Sequence, residues 1–315
     1  MPSIKSKLII FSIQHSHLFK GRLKRDIITK ETSIPDLRKQ YEEGAKKYGS
    51  IPAGIQVSPV TIPGLPEGSF AEWIHPQNNA PTPGPADKAI FYTHGGGYIS
   101  GNCVDHRMHV AKFVQATGSA ALLYDYRLAP EHPFPAGMND TLTAYRWLLD
   151  QGVTPANIVI AGESAGGGLC LASLVAIRDE GLPLPKAGVA LSPWIDLTCT
   201  SDSYRRNAKR DISTLGSWHI WNKFYTGEND PRHPWISPIY ADLNGLPPVL
   251  IVVGDHEIMQ DDCVRFADKA KAAGMEVDLR VWEGMVHCFP LLAPMFPEAT
   301  QAWQETIAYM QKHLG

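Results

Sequence analysis

No stretch of this 315-residue chain is apolar for long enough to cross a bilayer. The one N-terminal candidate, Leu8 to Phe19, is interrupted by Gln14, His15 and His17. It falls short of the roughly 18 apolar residues of a spanning helix and lacks the unbroken core of a secretory signal. The expectation is an amphipathic helix lying on the protein's own body, with no stable membrane insertion. An excess of basic charge is also lacking: Lys and Arg number 29 against 32 Asp and Glu, for a net charge of −3. Nucleic acid is thereby excluded as the main partner, since phosphate recognition needs a dense basic surface. Residues 1–50 run against this balance, with eleven Lys/Arg to five Asp/Glu, and read as a solvated helix face. Cysteine is scarce: Cys103, Cys170, Cys199, Cys263 and Cys288 stand far apart with no C-x-x-C pair. An odd, scattered set implies reduced thiols and a cytoplasmic protein. No pair of histidines and carboxylates has metal-ligand spacing, so no metal and no cofactor are expected.

What is present is core-forming and turn-rich: 44% hydrophobic residues, 19% charged, 27 glycines and 25 prolines. Ser33 to Asp36 resembles a capping box, and Ile34, Leu37, Tyr41 and Tyr48 mark one helical stripe. The period then changes. Ile55–Ile62 and Ser69–His75 read as two antiparallel strands, and 76–87 as a loop. Short apolar runs follow at Ala89–Tyr92, Ala120–Tyr124, Ile158–Ala161, Gly188–Leu191 and Val249–Val253, with a further strand at Val277–Trp282. Helical segments at 104–116, 136–150, 165–179 and 261–273 alternate with them, and a last helix runs from about Glu298 to His313. The pattern predicts an α/β fold with a mostly parallel central sheet flanked by helices. Residues 197–235, which hold Trp218, Trp221, Phe224 and Trp235, interrupt it as a helical insertion.

Gly162-Glu163-Ser164-Ala165-Gly166 is a G-x-S-x-G pentapeptide between a strand, Asn157–Ala161, and a glycine-rich helix start. Strand, sharp turn and helix in that order are the setting of a nucleophile elbow, with the Ser164 hydroxyl exposed at the turn. About seventy residues earlier, His94-Gly95-Gly96-Gly97 follows a strand. Three successive glycines cost backbone entropy and need a reason. Their amides can approach an oxyanion, joined by the amide of Ala165. A phosphate-binding loop is disfavoured because no P-loop lysine follows. Of twelve histidines, His287 alone sits in a loop after the final strand. That placement suits the general base of an α/β hydrolase, whose order is serine, acid, histidine.

Several long motifs in this order resemble the hormone-sensitive lipase family of α/β-hydrolase esterases, also called bacterial lipase family IV. The likeness runs from about residue 88 to the C-terminus. It rests on His94–Gly97, on Asp125-Tyr126-Arg127-Leu128-Ala129-Pro130-Glu131-His132-Pro133-Phe134-Pro135-Ala136, on the elbow, on Ser192-Pro193-Trp194-Ile195-Asp196-Leu197 and on the His287 loop. Glu163 departs from it, many relatives having Asp or Thr there. The resemblance implies a body over 51–315, with 1–50 and 197–235 forming a helical cap whose tryptophans and Tyr225 are candidate acyl-pocket walls. It also suggests a homodimer through the edge of the last strand. Arg127 and Glu131 are expected to pair, with Glu131 bracing the oxyanion loop. The activity implied is hydrolysis of short- to medium-chain carboxylic esters through an acyl-enzyme on Ser164, with a small-molecule ester as partner. A lactone or bulky-alcohol ester is the alternative within the same mechanism, and a non-catalytic ligand-binding homologue the alternative outside it.

The acid is less plain. After Val249–Val253 comes Gly254-Asp255-His256-Glu257-Ile258-Met259-Gln260-Asp261-Asp262, with four carboxylates. The family's register in this loop falls on Glu257, thirty residues before His287; Asp255 is the competitor. Asp261 and Asp262 read as the start of the next helix, where carboxylates favour the N-terminus.

Overall fold

The change of period at Ile55 is where the sheet begins. The protein, seen as a computed structural model, is described at residues 2–15, 29, 31–48, 50–85, 87–212 and 217–315. Strands β1 (Ile55–Pro59) and β2 (Ala71–Pro76) pair antiparallel, and β2 joins β4 (Ala120–Tyr124) antiparallel. All other pairings are parallel: β3 (Ala89–Thr93), β5 (Ile158–Glu163), β6 (Ala187–Leu191), β7 (Val249–Gly254) and β8 (Val277–Trp282). The order across the sheet is β1-β2-β4-β3-β5-β6-β7-β8. Every residue of β3 to β7 is buried, which explains why these strands read as continuous apolar runs instead of alternating ones.

Alternate residues of each strand feed two cores. Phe91, Leu122, Ile160 and Ile251 face one side, while Ile90, Leu123, Val159 and Leu250 face the other. On the first side lie α4 (Ala136–Asp150), α5 (Ala165–Asp179) and α8 (Gln260–Ala272). On the second lie α3 (Cys103–Thr117) and α9 (Pro297–Leu314). Helix α3 starts with a reciprocal box between Asn102 and Asp105 and stops at Gly118, which is left-handed at φ 71°.

The N-terminal expectation holds in place but not in pattern: over the described residues a helix packs on the body, yet Ile4, Leu8 and Phe11 are exposed, so it is not amphipathic. Helix α1 (Ile4–Gln14) lies on the body, with Ser6 and Ile10 buried and the Ser3 hydroxyl donating to Glu298 at 3.0 Å. The rest of the Leu8–Phe19 stretch, from residue 16, lies outside the described residues. Helix α2 (Ile34–Tyr48) is capped by Ser33, whose hydroxyl accepts from the Asp36 amide at 3.3 Å. The insertion carries α6 (Asp202–Arg206) and α7 (Trp218–Thr226); its residues 213–216 are likewise outside the description. Among the described residues no helix is long and apolar enough to cross a membrane.

The chain leaves β3 toward β4 on one side and returns to β5 on the other. Between β3 and β5 the strand order therefore reverses, and the crevice beyond their carboxyl ends is where open α/β sheets bind ligands. His94–Gly97 and Ser164 both emerge there.

Candidate active site

Ser164 occupies the turn between β5 and α5 at φ 56° and ψ −123°, a strained backbone for a residue with a Cβ. Its carbonyl accepts from the amides of Gly168 at 3.0 Å and Trp194 at 2.9 Å, and its own amide donates to Leu191 O at 2.9 Å. The two flanking glycines have a steric cause. A Cβ on Gly162 would sit 2.4 Å from Thr93 Oγ1, and one on Gly166 would sit 2.1 Å from Thr93 O.

The Ser164 hydroxyl lies 2.9 Å from His287 Nε2, and His287 Nδ1 lies 3.0 Å from Glu257 Oε2. Glu257 is fully buried. Its Oε1 accepts from the Gly254 amide at 2.5 Å and from the Ser192 hydroxyl at 2.8 Å, while Ser192 Oγ accepts from the Cys288 amide at 2.9 Å. Burial raises the Glu257 carboxyl above the ordinary range, against the lowering effect of His287. For His287 burial works against the charged ring, but Cys288 and Glu257 outweigh it and the pKa lies well above 6.5. Asp255 points elsewhere, accepting the Gly284 amide at 2.6 Å. Asp261 and Asp262 stand in the first turn of α8, where Asp261 pairs with Arg206 at 2.6 Å and Asp262 with Arg265 at 3.1 Å. The insertion grips the acid loop: Asn207 Nδ2 donates to the carbonyls of Asp255 and Glu257 at 2.8 and 2.7 Å, and Asp211 accepts the Ile258 amide at 2.7 Å. Ser192, Asn207 and Asp211 carried no role in the sequence reading. Ser192 lies in a recognisable motif, whereas the other two bear no local signal.

The glycine loop needs a correction. Gly96, Gly97 and Ala165 present amides with no hydrogen-bond partner among the described residues, but the Gly95 amide already donates to Glu163 Oε1 at 2.6 Å. Gly95 is therefore the anchor of the loop and not one of its free donors. A second correction concerns Arg127, which pairs with Asp140 at 2.7 Å and not with Glu131. Glu131 instead binds Arg38 at 2.8 Å, and Arg38 also donates to the carbonyls of Ile99 (2.7 Å) and Ala129 (2.9 Å). Glu131 thus reaches the loop through Arg38.

Two cavities meet at Ser164, His287 and Gly96. One, of about 190 Å³, has apolar walls that include Trp194, Trp218, Trp221, Ile258 and Met259. The other, of about 350 Å³, is bordered by the polar side chains of Asp105, His106, Glu163 and Cys288. Tyr41 of α2 and Ser100 border both. Of the insertion's aromatic residues, Trp218 and Trp221 face the apolar cavity. Tyr225 is buried against Tyr98, ring centroids 3.7 Å apart, and Trp235 donates to Asp179 at 3.0 Å. Among the described residues no cluster of three or more His, Cys, Asp or Glu could hold a metal ion.

Residues 90–291 match the family model described as the alpha/beta hydrolase fold. An acetyl-hydrolase of Streptomyces hygroscopicus is 35% identical over 289 residues, covering 91% of this chain and 93% of its own. An esterase of Acinetobacter venetianus is 35% identical over 250 residues, 79% of each chain. Among solved structures, EstE5 soaked with p-nitrophenyl butyrate superposes with a TM-score of 0.86 at 39% identity, covering 99% of each chain. An esterase from the bacterial hormone-sensitive lipase family gives 0.85 at 38% identity over the full length of both.

Proposed function

The chain belongs to the α/β-hydrolase family, in its bacterial hormone-sensitive lipase branch, and is a carboxylic ester hydrolase; on that premise we propose that Ser164, His287 and Glu257 are its catalytic triad and short- to medium-chain esters its substrates. The observation that carries the assignment is the unbroken contact chain from Ser164 Oγ through the His287 ring to Glu257. His287 takes the Ser164 proton as Oγ attacks the ester carbonyl. Glu257 holds the ring with Nδ1–H turned toward itself and stabilises the imidazolium. The carbonyl oxygen, now negative, receives the amides of Gly96, Gly97 and Ala165, each worth about 3–4 kcal/mol in acyl transfer. His287 then returns the proton to the departing alkoxide, and water hydrolyses the acyl-enzyme by the same steps.

The apolar cavity supports the chain-length reading. Its roughly 190 Å³ is small beside pockets of about 300–1,000 Å³ that take drug-sized ligands, which suits a short chain. We take 51–315 as the catalytic body and 1–50 with 197–235 as its cap, since Tyr41, Trp218 and Trp221 border the cavity. The five free cysteines, four of them buried, support a reducing, cytoplasmic setting. Strand β8 at the sheet edge is the surface for a homodimer, which light scattering tests.

The deciding experiment is labelling with an organophosphate followed by peptide mass spectrometry. Phosphonylation of Ser164, lost in Ser164→Ala, is expected; a folded protein that hydrolyses p-nitrophenyl butyrate with Ser164 unlabelled would overturn the assignment.

A further inference from the structure

Glu163 is next to the nucleophile in sequence, and none of the chemistry above uses it. It is buried at the end of β5, and both oxygens are engaged. Oε1 accepts the Gly95 amide at 2.6 Å and meets His106 Nε2 at 2.9 Å; Oε2 accepts the Tyr92 hydroxyl. We propose that Glu163, held by a protonated His106, is the positioning residue that aims the oxyanion loop. This rests on the triad reading and deepens it.

The loop needs an anchor because of its composition. Gly96 and Gly97 stand at φ 116° and 65°, and glycine backbones give up the most freedom on ordering. Preorganised donors are effective only if they do not reorient during the reaction. Beyond the glycines, Arg38 holds the carbonyl of Ile99. Before them, the Tyr126 hydroxyl donates to His94 O at 2.7 Å, and Glu163 takes the next amide in the chain. Gly96 and Gly97 are thus suspended between fixed points. A Cβ on Gly95 would come within 2.8 Å of Glu163 Oε1, so the approach itself requires glycine.

A carboxylate is a strong anchor but carries a charge of the wrong sign beside a developing oxyanion. His106 answers this. Its Nδ1 faces Asp105 and its Nε2 faces Glu163, so each ring nitrogen has a carboxylate acceptor and each carries a proton. The groups around it agree: Asn102 O lies 3.2 Å from Nδ1, and the His94 ring stands tilted by 35° with its centroid 5.1 Å away. Glu163 and Asp105 outweigh burial and lift His106 to about 10, while burial and the His106 charge lower His94 and His109 to about 4. One imidazolium thus stands between two carboxylates, and Glu163 can grip the Gly95 amide with its charge offset.

Four variants test this with p-nitrophenyl butyrate and a trifluoromethyl ketone that forms a tetrahedral adduct on the serine. Glu163→Ala removes the acceptor and is expected to lower kcat about 100-fold, with KM within threefold and a matching loss of ketone affinity. Glu163→Gln keeps an oxygen for the Gly95 amide and should recover most of that loss. His106→Asn leaves the carboxylate charge exposed and should lower kcat, and adding Glu163→Gln to it should restore activity. A folded Glu163→Ala with kcat within threefold of the parent, or with unchanged ketone affinity, overturns the proposal. If Glu163→Ala does not fold, the His106 pair decides: a double variant no better than His106→Asn alone overturns it. Organophosphate labelling of Ser164 in the parent separates this failure from failure of the triad itself.

Discussion

Replacing Glu257 by Gln separates the two candidate acids by a defined chemical route. Oε1 of Glu257 faces two donors, the Gly254 amide at 2.5 Å and the Ser192 hydroxyl at 2.8 Å. Ser192 cannot easily reverse, because its oxygen also accepts the Cys288 amide. The glutamine oxygen must therefore take the Oε1 place, which turns its NH₂ toward His287 Nδ1 in the position of Oε2. An NH₂ in that place makes Nδ1 an acceptor and leaves the ring proton on Nε2, facing Ser164 Oγ. The imidazole then cannot accept the serine proton. A wrong tautomer in an intact triad costs up to about 10⁴-fold in kcat, or about 5.4 kcal/mol of transition-state stabilisation. Asp255→Asn should behave quite differently, since an asparagine oxygen can still accept the Gly284 amide; kcat should stay within about threefold, as for surface changes generally. Steady-state hydrolysis of p-nitrophenyl butyrate with matched melting curves reads both variants. The reverse ranking in two folded proteins, or a Glu257→Gln enzyme within tenfold of the parent, would refute the reasoning.

Three further outcomes are expected. Because His287 must be neutral to act as base and its pKa lies above 6.5, kcat/KM should fall as pH drops through a value above 6.5; an acid limb below 6.5 in a pH–rate profile would contradict this. Ser192→Ala removes the hydroxyl that holds Glu257 and leaves the Cys288 amide without its acceptor, so stability should drop by about 1–3 kcal/mol in urea unfolding, and kcat by about tenfold. Unchanged values of both would remove Ser192 from the site. Trp221→Ala should open the apolar cavity and raise the kcat/KM ratio of p-nitrophenyl octanoate to butyrate; across acetate to palmitate, activity of the parent only above about ten carbons would reject the short-chain reading.

Where Gly or Pro flanks an element, the sequence reading and the structure agree closely. Val277–Trp282 lies between Gly274 and Gly284, Ala120–Tyr124 follows Gly118, and Ala136–Asp150 lies between prolines and Gly152. The elbow was legible because its motif is local: five residues, one turn. The contact of Glu257 with His287 was legible only by register, since residue type alone leaves Asp255 equally fit; what sets Glu257 apart in the structure is also its bond from Ser192, 65 residues away in the chain. The errors have the same origin. Gly95 reads like its neighbours until Glu163, 68 residues later, is seen to take its amide. Arg127 has a carboxylate four residues on, yet its partner is Asp140, on α4, which presents two oxygens to the guanidinium. Side-chain pairing across the fold leaves no periodic trace in the sequence.

Asn207 and Asp211, in the insertion between β6 and β7, hold the loop that bears Glu257. On the proposed triad and cap, substrate range and proton transfer are therefore not separable modules in this chain. An engineer who exchanges 197–235 for a relative's segment to admit a different ester also replaces the clamp on the acid. The hybrid can gain the new pocket and still turn over slowly, with nothing altered at Ser164, His287 or Glu257. Grafts that retain Asn207 and Asp211 while recruiting foreign residues around Trp218 and Trp221 are the ones in which selectivity can change at undiminished rate.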